Sequence, residues 1–389
     1  MTEFFNPPSS PKAPASPRPA GSPAQAGRMR RLPRGALATT ALTAVVALGV
    51  FEAGHRMSVP GTGHGGGAAS RSQAVMGAGG SPAGAGMNVL LVGLDTRDTI
   101  TPQQKARYHL GGRACGCTDT MMLVHVAQNR RRVSVVSLPR DSLATIPAYT
   151  DTKGRTHKSR AAKLNAAYAE GGAPLTMRTV QKMTGVRIDR FLPVDFARFM
   201  KTVDGLGGLD VCTDRPLKDT ATALVLPAGT SHLGGGESLQ YARSRHVDTL
   251  ADFGRIQRQQ KYIVSFVKQI SGDGTLRSPA RMAVLAAALL PAVPAERAFT
   301  VKDTLTLAGE LRNIGLDSLE FATVPVKGYV PLKGVGTTIA WDPAKSAEVF
   351  RAVRSDRSLL TVVATPAEHR TSGGRNGFLP VKGSRLACP

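Results

Sequence analysis

Short apolar runs alternate with amphipathic stretches between residues 87 and 356, and this alternation predicts one α/β domain. Buried strands are predicted at 87–94, 120–126, 133–138, 188–194 and 209–212. Helices are predicted at 163–170, 174–184, 195–204, 252–270, 282–290 and 304–314. Since strands that alternate with helices pack best in layers, we expect a sheet with helices on both faces.

The segments that flank this domain are predicted to lie outside its core. Residues 1–34 hold eight prolines and six basic residues against one acidic residue, a composition typical of a disordered basic tail. Residues 54–86 contain eleven glycines and predict a flexible linker. The polar, glycine-rich residues 357–389 predict a flexible C-terminal tail.

An apolar segment follows the basic tail, and we interpret residues 35–53 as a transmembrane anchor. The seventeen residues at 35–51 carry no charge and would span about 26 Å as a helix, close to the ~30 Å hydrocarbon core of a bilayer. A cleaved signal peptide is the alternative. The arginines just before this segment predict a cytoplasmic N-terminus, which places the domain at 87–356 outside the cell membrane.

Composition and charge limit the class of protein. The 389 residues are 42% hydrophobic, which is enough for a sizeable core, so a fully disordered chain is excluded. Lys and Arg number 50 against 27 Asp and Glu. The resulting net charge of +23 leaves three kinds of partner open: nucleic acid, an anionic membrane surface and a phosphate-bearing substrate.

The four cysteines exclude a disulfide-dense small domain, although an extracellular domain favours oxidised thiols. Cys115 and Cys117 are too close in sequence for an easy mutual bridge, so pairing one of them with Cys212 is the more relaxed option. Free thiols remain the alternative. A zinc site is disfavoured because the sequence offers no second close pair of Cys or His residues.

Polar side chains near the predicted strand ends are the first candidates for chemistry. Asp95 follows the first strand, Asp119 precedes the second, and Asp141 comes after the third. Ligand sites in open α/β sheets lie beyond strand ends, and two carboxylates that converge with a phosphate form a Mg²⁺ site. The alternative is that these residues cap turns. Arg140 either presents its planar fork to a phosphate or forms a weak surface pair with Asp141.

A second group of candidates lies in the C-terminal half. Arg243 and Arg245 are two positions apart, so both side chains would point to one face of an extended segment. In the predicted helix that follows, Arg255 and Gln259 share one face, with Arg258 alongside. Spacing alone supports an oxyanion site and an ordinary solvated face equally.

Seven motifs occur in one order, and together they resemble those of the LytR-CpsA-Psr family of cell-wall enzymes. They are MNVLLVGLDTRD, CTDTMMLVHV, VSVVSLPRDS, KLNAAYAEGG, VDGLGGLDVC, LPAGTSHLGGGESLQYARSRH and DFGRIQRQQ. The resemblance implies an α/β fold, with a central mixed β-sheet sandwiched between helices and a deep pocket for a prenyl chain, preceded by one transmembrane helix. The apolar faces of the predicted helices 174–184, 195–204 and 282–290 are candidate pocket walls.

The resemblance also implies roles for individual residues. Asp95 and Asp119 match the carboxylates that bind Mg²⁺ (or Mn²⁺). The residues that match a diphosphate clamp and its glutamine are Arg140, Arg243, Arg245, Arg255 and Gln259. Asp95 or Asp141 is the hypothetical general base. The further candidates for phosphate contact are Arg113 and Arg258.

One position departs from the family pattern. Many members carry an arginine where this chain has Cys117. Either the nearby Arg113 contacts the phosphate from a different point, or a disulfide shapes this loop and the clamp has one arginine fewer.

The resemblance implies a membrane-anchored phosphotransferase that acts outside the cytoplasm. Such enzymes take a glycopolymer, for example a teichoic acid, from a polyprenyl diphosphate lipid and attach it to peptidoglycan through a phosphodiester. The alternatives are a polyprenyl pyrophosphatase without a glycan acceptor and a nucleic-acid-binding transcriptional attenuator. Nucleic acid is disfavoured because aromatic residues make up only 5% and the chain has no zinc-finger spacing, basic zipper or RNA-binding aromatic motif.

Overall fold

The computed structural model describes residues 86–111, 114, 116–290, 300–362 and 379–388. The predicted basic tail, the transmembrane anchor and nearly all of the linker lie outside these residues, as do Arg113 and Cys115. No helix in the described ranges has both the length and the apolar character that a membrane crossing requires.

Strands and helices occur in runs along the described residues, so the strict alternation that the sequence predicts is not observed. The strands are β1 (Met87–Leu94), β2 (Thr118–Val126), β3 (Val133–Ser137), β4 (Leu143–Ile146), β5 (Tyr149–Thr150), β6 (Thr156–His157), β7 (Arg160–Lys163), β8 (Arg190–Asp195), β9 (Leu209–Thr213), β10 (Leu217–Asp219), β11 (Leu224–Leu226), β12 (Gly229–Leu233), β13 (Leu319–Thr323), β14 (Val326–Leu332), β15 (Gly336–Trp341) and β16 (Val381–Lys382). The helices are α1 (Pro102–Arg107), α2 (Ala166–Thr184), α3 (Phe196–Gly205), α4 (Gly235–Arg243), α5 (Asp252–Gly272), α6 (Pro279–Leu289), α7 (Val301–Glu310) and α8 (Pro343–Arg354).

Six strands form one central sheet in the order β16-β13-β3-β2-β1-β8. The pairs β1–β8 and β3–β13 are parallel, whereas β1–β2, β2–β3 and β13–β16 are antiparallel. The sheet is therefore mixed, as expected.

Helices cover both faces of this sheet. Successive side chains of a strand point to opposite faces, and in these strands the side chains on both faces are apolar. One face packs against α2 and α8 through a buried cluster that includes Leu90, Leu123, Val180 and Phe350. The opposite face packs against α5 through Met122, Val135, Phe321 and Val264. A side chain that is fully buried in this way contributes about 1.5–3 kcal/mol. Burial on both faces explains why the strands appear in the sequence as continuous apolar runs.

Helix α2 joins the two helices predicted at 163–170 and 174–184 and bends between them. Gly171 and Gly172 have non-helical backbone angles, with a φ of 60° at Gly172. Glycine adopts this left-handed conformation without a steric penalty. The first predicted helix began too early, because Arg160–Lys163 form β7 and pair with β4.

The end of the chain corrects two predictions. The predicted tail is not flexible over residues 379–388, because β16 pairs with β13 and extends the central sheet. The predicted pairing of Cys212 with Cys115 or Cys117 is wrong, because Cys212 forms a disulfide with Cys388 at a Cα–Cα distance of 5.5 Å. Cys117 is also disulfide-bonded. Cys212 and Cys388 meet because β9 and the residues that follow β16 both pack against α5.

Candidate active site

A cavity of about 720 Å³ lies between the central sheet and the helices of one face. Its interior is apolar. Strand residues that line it include Leu91, Met122, Val124, Val135 and Leu192, and helix residues include Phe196, Phe199, Tyr262, Ile263 and Phe266. The walls predicted at 195–204 and 282–290 are confirmed by α3 and by Leu289 of α6. The wall predicted at 174–184 is wrong, because α2 packs against the opposite face of the sheet.

Strand ends bring three of the predicted polar residues to the mouth of this cavity. Asp95 directly follows β1, Asp119 is the second residue of β2, and Arg140 lies three residues after the end of β3. Because β1 and β3 both run antiparallel to β2, the end of each meets the start of β2 at one edge of the sheet. All three side chains line the cavity.

Helices α4 and α5 bring the other predicted residues to the same mouth. The cavity is lined there by Arg243, Arg245, Arg255 and Gln259. The segment with Arg243 and Arg245 is not extended, because α4 continues to Arg243 and ends at Ser244. The guanidinium of Arg243 lies 5.1 Å from the centre of the Phe196 ring, where the polar mouth meets the apolar interior.

Three arginines at the mouth have a buried N–H group without a hydrogen-bond partner among the described residues. These groups are Nε of Arg140, Nη1 of Arg243 and Nε of Arg255. Burial lowers the pKa of Arg255 to about 10, against the opposing effect of the Asp252 carboxylate. Burial also lowers the pKa of Arg243. An unpaired buried donor costs about 1–3 kcal/mol, so an anion that accepts from these groups would recover that energy.

The two carboxylates predicted to bind metal both lie at the mouth, each beside an arginine. Asp119 forms an ion pair with Arg140 and lies 3.6 Å from Nη2 of Arg245. Asp95 accepts from Nε of Arg97 at 2.5 Å and from Nη2 at 2.7 Å. Arg97 also donates to the carbonyl oxygen of Leu110 at 2.8 Å, so it fixes the carboxylate against the following loop.

Sequence reasoning missed Arg97, although the motif MNVLLVGLDTRD contains it. Spacing gave no reason to select it, because its backbone partners Leu110 and Gly111 are 13 and 14 residues away.

The donor set fits Mg²⁺. A carboxylate offers about four lone-pair sites, so Asp95 keeps acceptor capacity beyond the two N–H groups of Arg97. No cluster of three or more His, Cys, Asp or Glu residues suited to a metal ion occurs in the described part of the chain. Mg²⁺ does not need one, since it is commonly held by one or two carboxylates together with substrate phosphates and water.

Two predicted residues do not line the cavity, although Asp141 lies 3.6 Å from Nε of Arg140. Arg258 donates to the carboxylate of Asp248 and to the carbonyl oxygen of Ser244, each at 2.5 Å, so it ties α5 to the segment after α4. Asp141 pairs with Lys163 at 3.1 Å and does not line the cavity. These positions do not support a phosphate contact for Arg258 and make Asp141 the weaker candidate for a general base.

A sequence model of the LytR_cpsA_psr family matches residues 68–349. This chain belongs to the LytR-CpsA-Psr family. It is 29% identical to the cell wall biosynthesis protein LcpA of Corynebacterium glutamicum over 271 residues, which cover 64% of this chain and 51% of LcpA. It is 31% identical to the polyisoprenyl-teichoic acid–peptidoglycan teichoic acid transferase TagU of Bacillus cereus over 192 residues, 49% of this chain and 55% of TagU. The chain thus spans little more than half the length of either relative.

Solved structures share the fold. Protein gbs0355 from Streptococcus agalactiae matches with a TM-score of 0.55 at 21% identity, over 76% of this chain and 92% of that protein. TagV of Bacillus subtilis matches with a TM-score of 0.53 at 21% identity, over 70% of this chain and 97% of TagV. At this level of identity the likeness establishes the fold alone, and it confirms the predicted mixed sheet with its layers of helices.

Proposed function

We propose that this chain is a phosphotransferase that moves a glycopolymer from a polyprenyl diphosphate carrier to peptidoglycan. The observation that carries the proposal is a single cavity with an apolar interior and an arginine-lined mouth. A cavity of this kind fits an amphiphile, since its walls favour a hydrocarbon tail and its guanidinium groups favour a phosphate head. The name of the relative TagU, a transferase between polyisoprenyl-teichoic acid and peptidoglycan, suggests the donor and the acceptor.

In the proposed reaction, a hydroxyl of peptidoglycan attacks the phosphorus that carries the glycopolymer. The new P–O bond joins glycopolymer and acceptor, the P–O bond to the second phosphate breaks, and prenyl phosphate leaves with the electron pair. Enzymes catalyse such transfers mainly by positioning and by charge stabilisation. Arg140, Arg243 and Arg255 offer three buried N–H groups to the phosphate oxygens, and Arg245 lies at the same mouth.

Two acidic residues at the mouth complete the proposed chemistry. Asp95 and Asp119 would hold Mg²⁺, which neutralises phosphate charge when it is bound. The proton of the attacking hydroxyl passes to a carboxylate. Asp95 is the better candidate for this base, because it lines the mouth and Asp141 does not.

The proposal includes the membrane. A prenyl carrier resides in a bilayer, so an enzyme that acts on it gains effective concentration from a tether to the same membrane. Residues 35–53 provide that tether in the proposal, with the N-terminus in the cytoplasm and the catalytic domain outside.

The test gives the purified chain an undecaprenyl diphosphate-linked glycan and peptidoglycan fragments, with and without Mg²⁺. Mass spectrometry should detect a phosphodiester-linked adduct and undecaprenyl phosphate. Removing one hydrogen-bond donor that stabilises the transition state typically lowers the rate about 10²–10³-fold, so the transfer rate of Arg255→Ala should fall by at least that factor. Arg351→Ala, at an exposed position of α8, is the matched control and should keep full activity.

Two results would redirect the proposal. Release of the glycan without any adduct would identify a pyrophosphatase that uses water as its nucleophile. Full activity of a folded Arg255→Ala variant would show that the arginine mouth does not bind the diphosphate.

A further inference from the structure

A second cavity, of about 500 Å³, lies beside the first and shares a wall with it. It sits between the C-terminal end of α3 and the helix α6, and Thr202 of α3 lines both cavities. On α6, Leu285 and Ala288 line the second cavity while Leu289 lines the first. The two cavities are therefore separated by side chains of the same two helices.

The partition between the cavities consists of side chains that move without breaking polar contacts. Phe266, which lines the first cavity, packs in one apolar cluster with Leu206 and Leu285, which line the second. Thr202 is buried, and its hydroxyl has no hydrogen-bond partner among the described residues. A change of rotamer at this partition therefore costs no hydrogen bond.

The first cavity is too small for a long prenyl chain. It follows α5 from Arg255 to Val267, and twelve residues of helix rise about 18 Å. If each carbon group takes about 30 Å³, the volume of one water molecule in the liquid, the 720 Å³ cavity holds about 24 carbon groups, or close to five isoprene units. The 500 Å³ of the second cavity adds room for about 16 more groups by the same measure.

We propose that the second cavity binds the distal isoprene units of the lipid carrier, as a continuation of the first cavity behind Thr202. This inference rests on the proposed function, because it assumes a prenyl tail in the first cavity. The occupant is argued from continuity and chemistry: Thr202 lines both cavities, and apolar side chains of Leu206, Val284, Leu285 and Ala288 line the second. The polar residues Asp273 and Arg281 also line this cavity, and Arg281 donates to the backbone carbonyl of Asp273 at 2.8 Å.

Equilibrium binding tests the proposal without any need for turnover. Farnesyl phosphate, with three isoprene units, fits the first cavity alone, whereas the eleven units of undecaprenyl phosphate exceed the first cavity and would extend into and beyond the second. The variant Ala280→Trp/Val284→Trp fills the second cavity from two exposed positions one helical turn apart. Ala287→Trp, exposed on the same helix but not a lining residue, is the matched control. Isothermal titration in detergent micelles gives Kd for both lipids with all three proteins.

We expect wild type and Ala287→Trp to bind undecaprenyl phosphate at least tenfold more tightly than farnesyl phosphate. The double variant should lose that difference and keep the wild-type Kd for farnesyl phosphate. Equal affinity of wild type for the two lipids, or an unchanged preference in a folded double variant, would overturn the proposal, as would no binding of either lipid. Chain-length-dependent binding without glycan transfer would instead support this inference and contradict the proposed function.

Discussion

Asp219 provides a test of how the mouth of the cavity is held in place. It is 1% exposed and accepts four backbone hydrogen bonds. One carboxylate oxygen accepts from Ala221 at 2.9 Å and from Thr222 at 3.3 Å, which closes the turn between β10 and β11. The other accepts from Arg245 at 2.7 Å and from His246 at 3.1 Å. A single carboxylate thus ties this hairpin to the segment that bears Arg245.

The variant Asp219→Asn keeps the shape of the side chain and replaces one acceptor oxygen by an NH₂ group. Whichever way the amide is turned, one pair of backbone N–H groups then faces a donor. Each hydrogen bond to a charged group contributes about 1.5–3 kcal/mol, so losing two lowers the free energy of unfolding by about 3–6 kcal/mol. Because Arg245 loses its backbone anchor in one of the two orientations, kcat should fall as well.

The effect of this substitution should depend on pH. Burial alone would raise the pKa of Asp219, but the backbone N–H groups of His246, Arg245, Ala221 and Thr222 outweigh it and lower that pKa. A carboxylate with a lower pKa in the folded state stabilises the fold above its unfolded pKa of about 3.9. That stabilisation disappears as the pH falls through the folded pKa, so the difference between wild type and variant should shrink below a pH of about 4.

Urea denaturation at neutral and acidic pH measures both effects. Asp210→Asn is the matched control, because Asp210 is an exposed carboxylate of β9 that pairs with His232 at 2.7 Å. Surface substitutions of this kind usually change stability by no more than about 0.5 kcal/mol. A urea midpoint for Asp219→Asn equal to that of wild type at neutral pH would refute the reasoning.

Two further predictions concern the disulfide and the boundary between mouth and interior. The disulfide of Cys388 closes a loop of 176 residues, so Cys388→Ser should lower the free energy of unfolding by about 2–5 kcal/mol, measured by urea denaturation; equal stability with and without a reducing agent would contradict this. Phe196 lies 5.8 Å from the Arg97 guanidinium and 5.1 Å from that of Arg243. Phe196→Leu should therefore weaken binding of a prenyl diphosphate about fivefold to thirtyfold, from about 1–2 kcal/mol of lost cation–π interaction. Phe199→Leu, which also lines the cavity, is the control, and equal effects of the two substitutions would exclude this role.

The central strands could be predicted because both of their faces are buried, so each appears in the sequence as a continuous apolar run. The apolar run at 87–94 coincides with β1, which is buried on both faces. Strand β13 was missed because a glutamate interrupts it. Glu320 is buried and accepts from Ser134 at 3.0 Å and from Ser358 at 2.5 Å, residues that lie 186 and 38 positions away. No local pattern reveals partners at such distances.

Part of the candidate site was predictable for the same reason. Asp95 and Arg140 follow the apolar strands β1 and β3, which flank β2 and run in the same direction, so both strands end near the start of β2. Arg97 and Arg258 show the limit of this reasoning. Both are buried arginines, but the first holds Asp95 and the second holds Asp248. The path of the backbone determines which carboxylate each arginine contacts, and the spacing of charges along the sequence does not predict that path.

The net charge of +23 could not identify the ligand, because most of the charge at the mouth is already balanced. Arg245 lies 3.4 Å from the carboxylate of Asp252, and Arg255 lies 2.9 Å from the same residue. An anion gains little from guanidinium N–H groups that already face a carboxylate. It gains more from Nε of Arg140, Nη1 of Arg243 and Nε of Arg255, which are buried and have no hydrogen-bond partner among the described residues. Under the proposed function, selectivity for a phosphate head would therefore depend on these three donors and on the apolar cavity behind them.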